Sequence, residues 1–270
     1  MPAHSPYREI AVASTFSPRF VQVLAEAKRI GGRFASALSL IYVGEKNDET
    51  AAKFRAALEQ VALPIDSHIH YEQGDPAGGI LRALRDHKID MIVAGALEKP
   101  LVLHPFLGNV ARRLVREASC SVMLFTHPET QPKPLRKIVF IADHSPNALE
   151  AFKQTLHLAT AEACERLYVI RLITAFDEAR AKAKGEHEKF PAFGDEETAL
   201  EEFVLSAGAT DVPIETRCIR GNTGFAAADF VQSIGADLLV VSVLPSIDGE
   251  LPNNIVWLTD VIPCNLWLIR

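Results

Sequence analysis

The chain predicts an α/β fold built twice: two similar domains, each a parallel sheet with helices on both faces. Three observations predict it. The stretch DMIVAGALEKPLVLHPFLGNVARRLVREASCSVMLF, Asp90 to Phe125, sets apolar runs at Met91 to Ala94 and Val122 to Phe125 on either side of a helical pattern. Two such runs joined by a helix make a βαβ crossover, which demands parallel strands. Upstream, strand-like and helix-like segments alternate, and downstream of a proline-rich stretch the same alternation restarts in register.

In order, Tyr7 to Ser14 reads as the first strand. Ser17 is the expected cap of the first helix, with Pro18 in its first position. Phe20, Val23, Leu24 and Ala27 follow at helical spacing, and Gly31-Gly32 reads as the stop. Ala35 to Val43 is a second buried strand, Thr50 to Val61 a second helix, and Ser67 to Tyr71 a shorter strand. Asp75 with Pro76 opens a third helix carrying Ile80, Leu81 and Leu84. Then come the strand at Met91, a loop, and a helix from Gly108 on which Val110, Leu114, Val115 and Ala118 share a face. Five strands with helices between them imply a sheet buried on both sides.

Residues 127–135, HPETQPKPL, read as a linker, with the boundary near Gln131, so the domains expected are 1–131 and 132–270. Beyond it, Arg136-Lys137-Ile138 follows Arg8-Glu9-Ile10 by 128 residues, and Ser145-Pro146 follows Ser17-Pro18 by the same offset. Gly221 follows Gly74, and Asp237 follows Asp90, by 147; Cys264 follows Cys120 by 144. The extra residues of the second copy fall between Thr174 and Glu197.

The 270 residues are 48% hydrophobic and 23% charged, the composition of a globular chain long enough for two domains. A net charge of −6 argues against nonspecific nucleic-acid binding and against docking on anionic membranes. No apolar run approaches the ~20 residues of a membrane span. The start, MPAHSPYREI, lacks the plan of a secretory leader, and Cys120, Cys164, Cys218 and Cys264 form no C-x-x-C pair. Buried free thiols in the cytoplasm are the expectation.

In parallel sheets, ligands bind beyond the carboxyl ends of the strands. Gly95 stands at such an end, and Gly108 where a helix begins and its free N–H groups suit an anion. His68 and His70 alternate on one strand face, a metal-ligand spacing, but with no third ligand near in sequence they read as edge-strand histidines. Arg112 and Arg113 read either as anion ligands or as a solvated helix face, and His104 as a solvated loop residue. Trp257 and Trp267 are expected in the second domain's core or where the domains meet. No nucleophile–base–acid set stands out, and Ser242 has no evident histidine partner.

Gly74-Asp75-Pro76, the Asp-x-x-Val-x-Gly start at Asp90 to Gly95, and Cys120 and Cys264 before each last strand resemble the universal stress protein family in its tandem form. Pro263-Cys264-Asn265 is the nearer of the two to the family's P-C-P-V. The resemblance implies two adenine-nucleotide α-hydrolase-like, Rossmann-like sandwiches with strand order 3-2-1-4-5, related by a pseudo-twofold axis. It also implies pairing of fifth strands, here Ser121 to Thr126 with Asn265 to Arg270, and leaves open a homodimer of whole chains.

Members that bind ATP resemble one another in an Asp ending the first strand and in G-x-x-G, nine residues, then Gly-Ser/Thr around the phosphates. Glycines admit the backbone to the phosphates, and the hydroxyl donates to one. In the first half Thr15 stands for the Asp, Gly95 and Gly108 are kept, Glu98 replaces the middle glycine, and Asn109 the Ser/Thr. The second half keeps the acid, Asp143, before His144-Ser145. There Ser242 replaces the first glycine and Pro252-Asn253 the Gly-Ser, and proline has no N–H to offer. The cofactor-binding candidates are therefore Thr15, Val43, Gly95, Gly108, Asn109 and Asp143, with ATP or AMP as the nucleotide. Gly95 and Gly108 read either as a residual cradle or as packing glycines, and Asp143 either as a ribose or base acceptor or as a turn acid. The function expected is a non-enzymatic stress-response or signalling protein with degenerate nucleotide sites, acting through unidentified protein partners or a small ligand. The alternatives are an ATP/AMP-binding switch in the first domain and a nucleotide phosphate hydrolase.

Overall fold

A computed structural model describes residues 5–96, 107–143, 146–174, 193–221, 225–244, 251, 255–259 and 262–270. By its contacts the chain divides into two compact units. One holds Met1–Lys133 with Asn265–Leu268, the other Pro134–Cys264 with Ile269–Arg270.

The first unit alternates β1 (Glu9–Ser14), α1 (Phe20–Phe34), β2 (Ala37–Val43), α2 (Asp48–Gln60), β3 (Ile69–Glu72), α3 (Pro76–Asp86), β4 (Met91–Gly95), α4 (Asn109–Glu117) and β5 (Ser121–Phe125). Its parallel strands lie in the order β3-β2-β1-β4-β5, as the resemblance implies. Ile10, Val12, Ile92, Val93, Val122 and Leu124 have no exposed surface, as strands covered on both faces require. A last strand, β10 (Asn265–Ile269), runs antiparallel to β5 with Leu266 opposite Leu124 and Trp267 opposite Met123. The Asn265 side chain accepts from the Thr126 N–H at 2.9 Å, which fixes that register.

The second unit repeats the plan with β6 (Lys137–Ile141), α5 (Ala148–Ala161), β7 (Arg166–Thr174), α6 (Phe193–Ser206), β8 (Ile214–Gly221), α7 (Phe225–Ser233) and β9 (Leu238–Ser242). Its order, β8-β7-β6-β9, copies β3-β2-β1-β4. The extra residues placed between Thr174 and Glu197 fall largely in 175–192, outside the described residues. The linker's end is fastened here: Leu135 is buried, and its N–H donates to the buried Glu162 carboxylate at 2.8 Å.

The repeat holds at atomic detail. Asp90 Oδ2 accepts from the N–H groups of Arg8 and Glu9, at 2.8 and 3.0 Å. Asp237 Oδ2 does the same for Arg136 and Lys137, at 2.8 Å each. The Asp that opens the family-like motif is thus a clamp between the starts of two neighbouring strands.

Three local expectations are corrected. α1 begins at Phe20 with no side-chain cap, because Ser17 gives its carbonyl, not its hydroxyl, to the Phe20 N–H at 3.0 Å. Gly31 and Gly32 lie inside α1, not after it. Their carbonyls take the closing bonds from Ser36 and Ala35, and Ala35 itself turns left-handed at φ 51°. On α4, Ala111, Leu114 and Val115 are buried, while Val110 is only half-buried.

β3 is the edge of the first unit's parallel sheet, and its histidines acquire a neighbour the sequence did not suggest. The His70 ring stacks on His87, past the end of α3, at 3.8 Å, and meets His68 at 4.3 Å. Among the described residues no group of histidine, cysteine or carboxylate side chains is placed to hold a metal ion. Burial, then the neighbouring His87 and His68, pull the His70 imidazole down to about 4 from 6.5. The unfolded chain takes this proton more readily than the folded one. The contribution to stability is therefore full above the unfolded value of about 6.5 and is lost as pH falls from there towards 4. We expect His70→Phe, which keeps the stack but cannot be protonated, to lose less of its urea midpoint between pH 7.5 and 5.0 than the wild type does. Parallel losses in the two proteins would assign the acid sensitivity to other groups.

Candidate functional site

The carboxyl ends of β1 and β4 are where a doubly wound sheet parts its flanking helices, and a cleft of about 410 Å³ opens there in the first unit. Its lining brings together Thr15, Gly95, Gly108 and Asn109 of the expected set. Thr15 and Asn109 are exposed, and Gly108 is buried as the N-cap of α4. The Gly108 N–H donates to the Ala96 carbonyl at 3.0 Å, and the Ala96 N–H to the Phe125 carbonyl at 2.9 Å. These two bonds draw the start of α4 over the ends of β4 and β5. The N-cap of α4 is Gly108, which has no side chain to cap it, and the helix's first residues line the cleft.

Val43 is not among the described residues of the lining. It faces α3 instead: a Cβ added to Gly79 would stand 2.8 Å from Val43 Cγ2. The missing side chain at Gly79 is what lets α3 close on β2. Asp143 lies in the second unit, two residues beyond β6, and takes no part in this cleft. Glu98, His104, His144, Ser145, Pro252 and Asn253 lie outside the described residues. Ser242 ends β9, is 3% exposed, and its hydroxyl makes no hydrogen bond among the described residues.

The structure adds residues that the motif comparison did not single out. Phe20, Val23 and Ile80 form apolar walls, and Phe125 closes the side towards β5. Arg19 is the one ionisable side chain among the described lining residues. It is half-buried and donates to the Thr126 carbonyl at 3.4 Å. Its signal was its place, directly after Ser17-Pro18 beyond the first strand. Arg113 is occupied otherwise, bonded to Asp75 at 2.6 Å and to Glu117 at 2.9 Å. Asp75 also caps α3 through the Gly78 N–H at 2.8 Å, so Gly74-Asp75-Pro76 starts one helix and ties it to the next. Trp267 is fully buried against Tyr7 and Phe34, and Trp257 is buried beside Phe225.

No described helix is long and apolar enough to cross a membrane. Universal stress protein MJ0531 of Methanocaldococcus jannaschii is 29% identical over 87 residues, 32% of this chain; the match spans half the length of that relative. A functionally unknown protein of Pseudomonas aeruginosa PAO1 has a similar structure, with a TM-score of 0.69 at 16% identity, covering 100% of this chain and 94% of the other. A universal stress protein of Archaeoglobus fulgidus gives 0.63 at 15% identity, covering 98% of both chains. At such identities the structures speak for the fold alone. The profile of the universal stress protein family, however, matches residues 6–126 and again 134–243. With the strand order and the twice-built clamp of Asp90 and Asp237, this places the chain in the universal stress protein family, as a tandem of two copies.

Proposed function

We propose that this chain is a non-enzymatic stress-response or signalling protein with degenerate nucleotide sites, acting through protein partners or a small ligand. The observation that carries this reading is the lining of the first-unit cleft. Thr15, a neutral hydroxyl, stands at the end of β1 where a carboxylate would hold a nucleotide, and the described walls are mostly apolar. A charge-assisted hydrogen bond contributes about 1.5–3 kcal/mol, so its loss costs roughly one to two decades of affinity. Glu98 replaces a glycine of the phosphate pattern in the sequence; a carboxylate about 6 Å from a phosphate charge would repel it by about 3 kcal/mol at an effective dielectric of about 20, before screening. One Asn109 donor does not offset both. In the second unit Ser242 and Pro252 replace two glycines of that pattern, which supports the absence of a triphosphate site there. Four cysteines outside any disulfide suit a reducing cytoplasm.

A second reading, an ATP- or AMP-binding switch in the first unit, is favoured by one feature: Gly95, Gly108 and Asn109 all reach the cleft. Calorimetry at equal salt separates the two. The wild type, refolded from denaturant to strip any carried nucleotide, is expected to bind ATP weakly or not at all. The double change Thr15→Asp with Glu98→Gly is expected to gain affinity measurably. Tight ATP binding by the unmodified chain would establish the switch. No gain in the double variant would mean that the cleft excludes nucleotides for another reason.

A further inference from the structure

We propose that the first-unit cleft binds a compact, mostly apolar molecule carrying one carboxylate, with Arg19 holding the charge. The proposal rests on the reading above that the cleft is not a nucleotide site, and it names the class of small ligand the site takes.

The cleft holds about 410 Å³, within the range of small-molecule sites. Its floor is Ala13, Ala94 and Gly95, small residues that leave the sheet's end low. Its walls are Phe20, Val23 and Ile80. Such a surface gains by meeting an apolar body, because both sides leave water. It offers little to a polar ring or to a chain of phosphates, each of which would lose hydration without equal replacement.

Arg19 sets the charge. It is half-buried, and it forms no ion pair with any described carboxylate. Among the described residues its side chain has one acceptor, the neutral Thr126 carbonyl at a long 3.4 Å. A guanidinium has five N–H donors, so most of its capacity remains beside the cavity, and its planar fork suits a carboxylate. The described lining contributes no acid to compete for it, and whatever repulsion Glu98 adds falls on the one charge of a carboxylate and on several of a triphosphate. The starts of α1 and α4, whose N-cap residues Arg19 and Gly108 make no side-chain cap, present positive helix ends on the same side of the charge balance. One carboxylate is matched by one arginine; a triphosphate is not.

The test uses the full chain and 4-phenylbutanoate as probe, with 4-phenylbutanamide and 4-phenylbutylamine as neutral and cationic counterparts and ATP alongside. At about twelve non-hydrogen atoms the acid should bind with a dissociation constant of roughly 0.1 mM by calorimetry. The amide should bind roughly ten- to a hundred-fold more weakly, the value of one charge-assisted contact. Arg19→Gln should bring the acid down to the level of the amide. A second variant addresses the apolar body: a Cβ at Gly95 would already stand 3.4 Å from Val23 Cγ2, so Gly95→Leu fills the floor and should abolish binding of both. Thermal midpoints near the wild type show that each variant is folded. The wild-type comparison of acid with amide needs no variant at all. Equal binding of acid, amide and amine, or preference for the amine, overturns the assignment of Arg19. No binding of any probe at 5 mM, together with no ATP binding, overturns this inference and leaves the function proposed above standing. Tight ATP binding overturns both.

Discussion

Trp267→Ala should destabilise the first unit by about 3–5 kcal/mol, the usual cost of emptying a buried tryptophan site. Trp267 is completely buried although it belongs to the last strand of the chain. Its ring lies 5.7 Å from Phe34 and 6.1 Å from Tyr7, and Tyr7 and Phe34 meet edge-on at 5.0 Å. Tyr7 in turn donates to the Ser121 hydroxyl at 3.1 Å, and its burial pushes its phenol well above the ordinary range. Alanine at 267 would therefore leave a void beside a buried hydrogen-bonding phenol. The measurement is a urea titration followed by far-ultraviolet circular dichroism, fitted as two transitions because the chain has two compact units. Ile65→Ala, at a side chain 59% exposed in the first unit, should stay within about 0.5 kcal/mol. A loss below about 1 kcal/mol for Trp267→Ala would mean that the last strand contributes little to that core.

Much of this architecture is written in local patterns. The buried strands are continuous apolar runs because both faces are covered, and Asp90 and Asp237 recur at the same place because each satisfies two N–H groups that begin a strand. What escaped were features decided by several elements at once. The left-handed turn that ends α1 falls on Ala35, not on a glycine, and its counterpart 128 residues later falls on Ala163, at φ 50°. Placing the stop at Gly31 fails because those glycines supply carbonyls to the turn without adopting it. Val43 ends β2 but is not among the described lining residues of the cleft. Which way its side chain faces depends on where α3 leaves room, and that room is the missing side chain at Gly79. Arg19 lies outside the glycine pattern and becomes visible only when the ends of β1, β4 and β5 are set side by side. His87 joins His70 only through the fold, since 17 residues separate them.

Breaking the ion pair under α6 should be comparably costly, and replacing the pair as a whole should cost less than the two single changes together. Arg171 on β7 and Glu196 on α6 approach to 4.0 Å with side chains 9% and 8% exposed. At that distance the contact is Coulombic, not a hydrogen bond, and amounts to about 4 kcal/mol of attraction at an effective dielectric of about 20. Against it stands the desolvation of two charges, which in buried pairs is of similar size. Arg171 sits opposite Cys218 on β8, and burial, with the charges of Glu196 and Glu197, raises that thiol above its ordinary value. The surroundings thus resist a further uncompensated negative charge. Arg171→Met removes the cation and strands the Glu196 carboxylate, so we expect a loss of about 3–5 kcal/mol in the second unit's urea transition. Glu196→Leu, which removes only this ion pair from Arg171, should cost less. The double variant, with neither charge present and the volume largely kept, should lose clearly less than the sum of the single losses, a coupling of several kcal/mol in the double-mutant cycle. Additive losses would show that the two side chains act separately, Arg171 through other neighbours and Glu196 through the packing of α6 alone.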